Sequence, residues 1–296
     1  MSSPVLRKPV VLACAAGLLA GGGVAVVTAR SGSEEPGLRA QNVSAQTASR
    51  KKPTVNTAAP AARPGTIQRG AMVSFTFDDG KKNQYVNAMP VLDQAGLKGT
   101  FYVIGGAVED WPEFRSQYMD PTELKTLAKN HEVGNHTWNH GNLADLVKGK
   151  SGAAAQAVLA TEFDKTQKEI QKVIGKAPKT CAYPFGGVNS TVAAVAKQHL
   201  AACRTTASGL NAPGSDLFQL KIFYMTSKTT PAELQKALKD AKRQNKWMIL
   251  CYHSVRPTDK PEDEYDVTTA AFKNQVQAVK ASGIPVRTVS QALGLG

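Results

Sequence analysis

The feature that most constrains the fold is a repeated alternation of short apolar segments with helical ones. Apolar, β-prone runs occur at MVSFTF (72–77), GTFYVIG (99–105), HEVGNH (131–136), KTCAYP (179–184), 200–205, 221–226, WMILCYHS (247–254) and IPVRTV (284–289). Helical patterns lie between them at 84–95, from 121 onward, at 153–174, 189–199, 231–244 and 269–282. Asp120-Pro121 with Glu123, and Thr230-Pro231 with Glu233, each supply a cap, a first-turn proline and a carboxylate at the third helical position. The strands lack clean polar alternation, which predicts a parallel sheet covered on its faces. No glycine-rich dinucleotide loop follows the first strand. The expectation is therefore an α/β fold with a distorted (β/α) barrel of about seven parallel strands, not a doubly wound sheet.

The 296 residues are not uniform along the chain. Arg7 and Lys8 precede an uncharged, apolar stretch at 9–29, the pattern of a signal peptide cleaved after Ala29 or of a retained membrane anchor. Either reading places the rest outside the cytoplasm, secreted or tethered. Residues 30–69 are rich in Ser, Ala, Thr, Pro and Gln and read as a disordered linker. They carry seven basic residues against Glu34 and Glu35, a large share of the formal charge of +13. Such a tether is a solubilising spacer, or it holds the domain near an anionic wall or membrane. Residues 70–296 form the single folded domain, read as a monomer. A nucleic-acid partner is not expected, because no aromatic and basic interleaving marks a strand-binding groove.

In a parallel barrel the residues just past the carboxyl ends of the strands carry function. Asp78 and Asp79 follow the first strand, His136 and then His140 the third, Tyr183 and Pro184 the fourth, and His253 the strand near 250. Two imidazoles four residues apart can share a metal ion, and an aspartate from another strand end completes a three-ligand site with open positions. Adjacent carboxylates repel, so one faces the metal and the other is free to act as a base.

These segments resemble the polysaccharide deacetylase family, the NodB-homology domains of carbohydrate esterase family four. SFTFDDG (74–80), HTWNH (136–140), CAYPFGG (181–187) and ILCYHSV (249–255) are similar to its first, second, third and fifth motifs, and 268–293 to its closing segment. The resemblance spans 70–293. It implies that Asp78 is the general base, that Asp79, His136 and His140 hold one divalent ion (zinc, with cobalt or nickel accepted), and that His253 is the general acid. It also implies that a backbone N–H near Phe185 helps to hold the oxyanion, with Tyr183 and Trp138 nearby. The substrate implied is an acetylated polysaccharide: peptidoglycan, a chitin-type polymer or poly-N-acetylglucosamine.

Two departures stand out. The third motif often has an arginine that orders the base, and Ala182 stands there. Lys221 is the first choice to replace it and Arg204 the second. The fourth motif, whose carboxylate tunes the acid histidine, is not recognisable, and Asp240 and Asp266 are weak substitutes. O-acetyl ester removal from xylan and a glycan-binding module with a degraded site are competing readings, although no metal ligand is lost. Trp138 either packs on a sugar or covers the rim. Trp111 and Tyr118 are more simply packing residues, and His131 and His199 structural ones. Cys181 and Cys203 either bridge or remain buried thiols beside Cys251.

Overall fold

Seven parallel strands close on themselves in the computed structural model, which describes residues 65–108, 116–257 and 260–295. The barrel strands are β1 (Met72–Phe77), β2 (Gly99–Val103), β3 (Glu132–Asn135), β4 (Thr180–Ala182), β5 (Ala202–Ser208), β6 (Leu220–Tyr224) and β7 (Trp247–Tyr252). Each pairs with the next, and β7 returns to pair with β1 from Met72↔Trp247 to Phe77↔Tyr252. The expected α/β barrel is the observed one. The signal or anchor at 9–29, most of the linker, and Trp111 lie outside the described residues. No described helix is long and apolar enough to cross a membrane.

Side-chain alternation, obscured in the sequence by burial on both faces, sorts the strands into an inner and an outer row. Val73, Phe75 and Phe77 of β1 join Met248, Leu250 and Tyr252 of β7 in an outer core. Phe77 stacks on Phe101 at 4.4 Å, and Phe272 meets Tyr252 edge-on at 5.1 Å. Phe272 comes from α8 (Thr269–Ala281). The inner row includes Met72, Tyr102, Ala182, Ala202, Trp247, Ile249 and Cys251. Extending it by one two-residue step beyond the strands leads from Thr76 to Asp78 and from Cys251 to His253. Gly134 is required here, because a Cβ would stand 2.3 Å from the Tyr102 ring.

The helices follow the pattern. They are α1 (Met89–Ala95), α2 (Gly105–Val108), α3 (Pro121–Leu127), α4 (Leu143–Leu146), α5 (Gly152–Ile174), α6 (Ser190–His199), α7 (Pro231–Gln244), α8 and α9 (Val289–Ala292). Both capping boxes form, at Asp120 with Glu123 and at Thr230 with Glu233. Cys181 and Cys203, register partners on β4 and β5, are joined by a disulfide, and Cys251 is a buried free thiol.

Two expectations need correction, and one element is unforeseen. IPVRTV is not a barrel strand: Val286 makes one isolated bridge to Val73, and Val289 already begins α9, capped by Thr288. The arc is closed by β7, so an eighth strand has no partner edge. A two-stranded parallel pair, β8 (Ser254–Arg256) with β9 (Asp266–Thr268), follows the barrel and was not expected. The folded part also begins before residue 70. Ile67 is buried, and the Thr66 and Gln68 N–H groups donate to Leu293 and Ala292 carbonyls.

Candidate active site

Asp78 and Asp79 follow β1, His136 and His140 follow β3, Phe185 follows β4, and His253 follows β7. Asp79 turns away from the strand at φ 76°, while Thr137, His140 and Phe185 have φ of 64°, 55° and 57°. Asn245 is the one other non-glycine residue with positive φ among those described. This conformation is costly for side-chain-bearing residues, most of all for β-branched Thr137, so its concentration at one rim marks a site held in place by its surroundings. A short π-helix, Gln84–Ala88, adjoins the rim. Buried Gln84 donates its amide N–H groups to the carbonyl of Asp78 and, at 2.6 Å, to that of His253. It thereby ties the ends of β1 and β7 together.

Asp79, His136 and His140 each offer one ligand atom, all within 4.8 Å of one another. The Nε2 atoms of His136 and His140 stand 3.5 and 3.2 Å from Asp79 Oδ1. That oxygen is buried without a hydrogen-bond partner, while Lys81 Nζ sits 3.2 Å from Oδ2. His136 Nδ1 lies 2.8 Å from the Ala182 carbonyl, so it carries the proton and leaves the Nε2 lone pair facing the aspartate. One buried anionic oxygen and two imidazole lone pairs converging on it suit a divalent cation. Burial opposes charge on His136, but Asp78 and Asp79 outweigh it and raise the imidazole above its ordinary value. Burial likewise opposes charge on Asp79, yet His136, His140 and Lys81 hold it well below the usual carboxylate range.

Asp78 points into the barrel and is 4% exposed. Its Oδ1 accepts from Arg204, which is 1% exposed and lies with its guanidinium 5.1 Å from the Tyr102 ring centre. The first-choice Lys221 is displaced here: it is exposed on β6, with its side chain against Gly209. The register explains why Arg204 serves. Arg204 is the direct partner of Ala182 across β4 and β5, so the cation has moved one strand over and the small Ala182 side chain leaves it room. Burial pushes the Asp78 carboxyl up, but Arg204, with His136 and His253, wins and holds it below its ordinary value.

His253 Nε2 is 3.9 Å from Asp78 Oδ2. Its Nδ1 is buried without a partner, and neither suggested carboxylate serves it. Asp240 is engaged by Lys236 and Arg243 at 3.0 and 2.8 Å, and Asp266 by Arg256 at 2.8 Å. The ring instead lies parallel to Tyr224, with centres 5.9 Å apart, and 5.1 Å from Tyr265. Burial pushes its pKa below the ordinary imidazole value, and Asp78 and Asp79 restore only part of that.

The remaining residues divide. The Phe185 side chain is 66% exposed, with its ring 4.9 Å from that of His140. Tyr183 is 1% exposed, so its hydroxyl is not available to a polymer. Trp138 is buried under Lys165, which stands 4.3 Å over its ring, and it covers the rim instead of facing solvent. Tyr118 is half-buried and bridges to Lys81. His131 accepts from the Gly99 N–H, and His199 pairs with Asp164 at 2.7 Å. Gln84 gives no signal in the sequence, since a glutamine opening a helix is ordinary until that helix is seen to fold under two strand ends.

Residues 66–202 match the model of the polysaccharide deacetylase family. A poly-beta-1,6-N-acetyl-D-glucosamine N-deacetylase of Staphylococcus aureus is 30% identical over 128 residues, and the uncharacterized protein YlxY of Bacillus subtilis is 30% identical over 129. Each alignment takes 43% of this chain but 44% and 35% of those proteins, so the chain spans less than half the length of these curated relatives. Among solved structures, the Bc1960 peptidoglycan N-acetylglucosamine deacetylase superposes with a TM-score of 0.52 at 17% identity, over 80% of this chain and 94% of that one. BA3943 of Bacillus anthracis, described as a family-four pseudoenzyme, gives 0.51 at 19%, over 76% and 66%. An enzyme and a pseudoenzyme fit equally well, so the superposition establishes the fold and leaves chemistry to the residues. The family match ends two residues before Arg204 and well before His253.

Proposed function

We propose that this chain, identified over residues 66–202 as a polysaccharide deacetylase family domain, removes N-acetyl groups from an N-acetylglucosamine-containing polysaccharide and releases acetate. The observation that carries the reading is the convergence of Asp78, His253 and the Asp79–His136–His140 cluster on one barrel rim. Asp79, His136 and His140 would hold a divalent ion, zinc first, with cobalt or nickel as substitutes. When bound, such an ion acidifies a water molecule and polarises the acetyl carbonyl.

The protein's own groups supply the proton transfers. Asp78 is kept ionised by Arg204, which occupies Oδ1; Oδ2, which takes only the weak hydrogen bond of the Cys251 thiol at 3.7 Å, is the oxygen that accepts the proton of the attacking water. An amide nitrogen leaves only as a neutral amine, so it must be protonated as the C–N bond breaks. His253 Nε2, 3.9 Å from Asp78 Oδ2, is placed to deliver that proton. The Phe185 N–H, on a residue held in the left-handed conformation, is the backbone donor for the developing oxyanion. The buried Tyr183 and Trp138 side chains have no direct part.

Poly-β-1,6-N-acetylglucosamine is the first polymer to try, supported by the staphylococcal relative. Peptidoglycan and chitin-type oligomers follow. The polymer would be met outside the cytoplasm, as residues 7–29 suggest, with the basic linker near an anionic wall or membrane. The test is acetate release by the zinc-loaded protein on these three substrates and on acetylated xylan, with Asp78→Asn as control. Release from an N-acetylated polymer, reduced on the order of 10³-fold in the control, supports the reading. Release from xylan alone would move the chain to the esterase reading. Zinc binding without release from any substrate would favour a glycan-binding module.

A further inference from the structure

The two histidines are fixed in different ways. His136 is anchored through its own ring, by Nδ1 to the Ala182 carbonyl at 2.8 Å. His140 has no side-chain hydrogen bond among the described residues, and its ring is part-exposed. Its ring packs between those of His136 and Phe185, each centre 4.9 Å away, and where that ring starts is set by the backbone of the turn 136–140, in which Thr137 and His140 both have positive φ.

That turn is gripped from α5. Glu162 is 4% exposed and lies on the helix's buried stripe with Ala155, Leu159, Phe163, Thr166 and Ile170. Its Oε2 accepts from the Trp138 and Asn139 N–H groups at 2.9 and 3.0 Å, and its Oε1 from the Asn139 side-chain amide at 2.7 Å. On the other side, the Thr137 and Trp138 carbonyls accept from the Gly105 and Gly106 N–H groups at 2.9 and 3.0 Å. A carboxylate on an otherwise apolar or uncharged stripe is costly unless its oxygens are filled. Every donor that fills this one belongs to the turn between the two imidazoles.

We infer that Glu162 is a positioning residue for the metal-binding turn: by clamping Trp138 and Asn139 it fixes where His140 presents Nε2 to Asp79. The inference rests on the metal reading above. It assigns Glu162 no contact with substrate and no proton transfer.

The test is zinc affinity of the full chain, measured by competition with a chromogenic chelator, for the wild type, Glu162→Gln, Asn139→Ala and Glu169→Gln. Glu162→Gln keeps the shape but puts an NH₂ where an acceptor is needed. Its zinc affinity should fall ~10–100-fold. Asn139→Ala removes one bond from an exposed residue and should lose ~3–10-fold; it carries the test if Glu162→Gln does not fold. Glu169, on the same helix but paired with Lys172, should leave affinity unchanged. Excess zinc should restore acetate release in Glu162→Gln and should not restore it in Asp78→Asn. Wild-type affinity in both Glu162→Gln and Asn139→Ala overturns the inference alone. Absence of zinc binding in the wild type overturns the metal reading and the inference with it.

Discussion

The two ends of the barrel each hold buried or part-buried carboxylate, and they treat it in opposite ways. At the amino-terminal end, Glu132 opens β3 and accepts four hydrogen bonds: from Thr100 Oγ1 and Thr180 Oγ1 at 2.9 Å, and from the Ser290 N–H and Oγ at 2.9 and 2.6 Å. It joins β2, β3, β4 and α9 and has nothing left to offer. At the carboxyl-terminal end, Asp79 keeps a buried oxygen without a hydrogen-bond partner, aimed at two imidazoles. Asp78 has one oxygen taken by Arg204, while the other accepts only the Cys251 thiol at 3.7 Å and lies 3.9 Å from His253. A saturated carboxylate is a joint, and an unsaturated one is a place for a cation or a proton.

The contrast makes predictions that differ in kind. The largest effect is expected at Asp79. Asp79→Ala, or removal of metal by a chelator, should lower acetate release on the order of 10³-fold or more. The melting temperature of the metal-free protein should hardly move, as differential scanning fluorimetry would show. A large loss of metal-free stability would mean that Asp79 is a joint like Glu132. Arg204→Met comes next and sits on the boundary between the two kinds. It leaves Asp78 buried without its cation, so stability should fall by about 3–5 kcal/mol in urea denaturation and activity should fall with it. If the variant is stable but inactive, Arg204 acts on chemistry alone.

Glu132→Gln should show the reverse of Asp79. It loses acceptor capacity at a filled site, costing about 1–3 kcal/mol of stability, while kcat/KM per folded molecule stays the same. The smallest effect concerns His131, also at the closed end. Burial holds its imidazole below the ordinary value, although Asp93 pulls the other way. On acidification the unfolded chain therefore takes up the proton first, and stability falls as pH drops below the ordinary imidazole value. His131→Gln should flatten the decline in melting temperature between about pH 7 and pH 5. An unchanged slope would assign that decline to His253, whose imidazole burial likewise holds below its ordinary value.

The legibility of the molecule varied with the range of the interaction. Strand ends were readable because an apolar run followed by Asp, His or Tyr marks where a buried strand leaves the sheet. Both capping boxes were readable because all their atoms lie within four residues. Lys221 is the sequence's first choice because it immediately precedes a strand, but which cation meets Asp78 depends on which strand's inward row faces that carboxylate, and that is a matter of register. Glu162 is, in the sequence, one charge in a long helix, although helical spacing puts it on the stripe with Leu159 and Phe163. IPVRTV has the composition of a strand, but it finds no free edge once β7 has paired with β1.

By itself, the sequence determined the alternation that makes a parallel barrel, the placement of Asp78, Asp79, His136, His140 and His253 at strand ends, and the family those motifs resemble. These follow from local periodicity and from side chains adjacent in the chain. The tertiary structure alone decided that Arg204 is the cation on Asp78, that Gln84 ties β1 to β7, that no carboxylate among the described residues reaches Nδ1 of His253, and that Glu162 holds the turn between His136 and His140. Each of these joins groups from separate strands or helices. Strand register and helix docking set such distances, and no spacing along the chain records them.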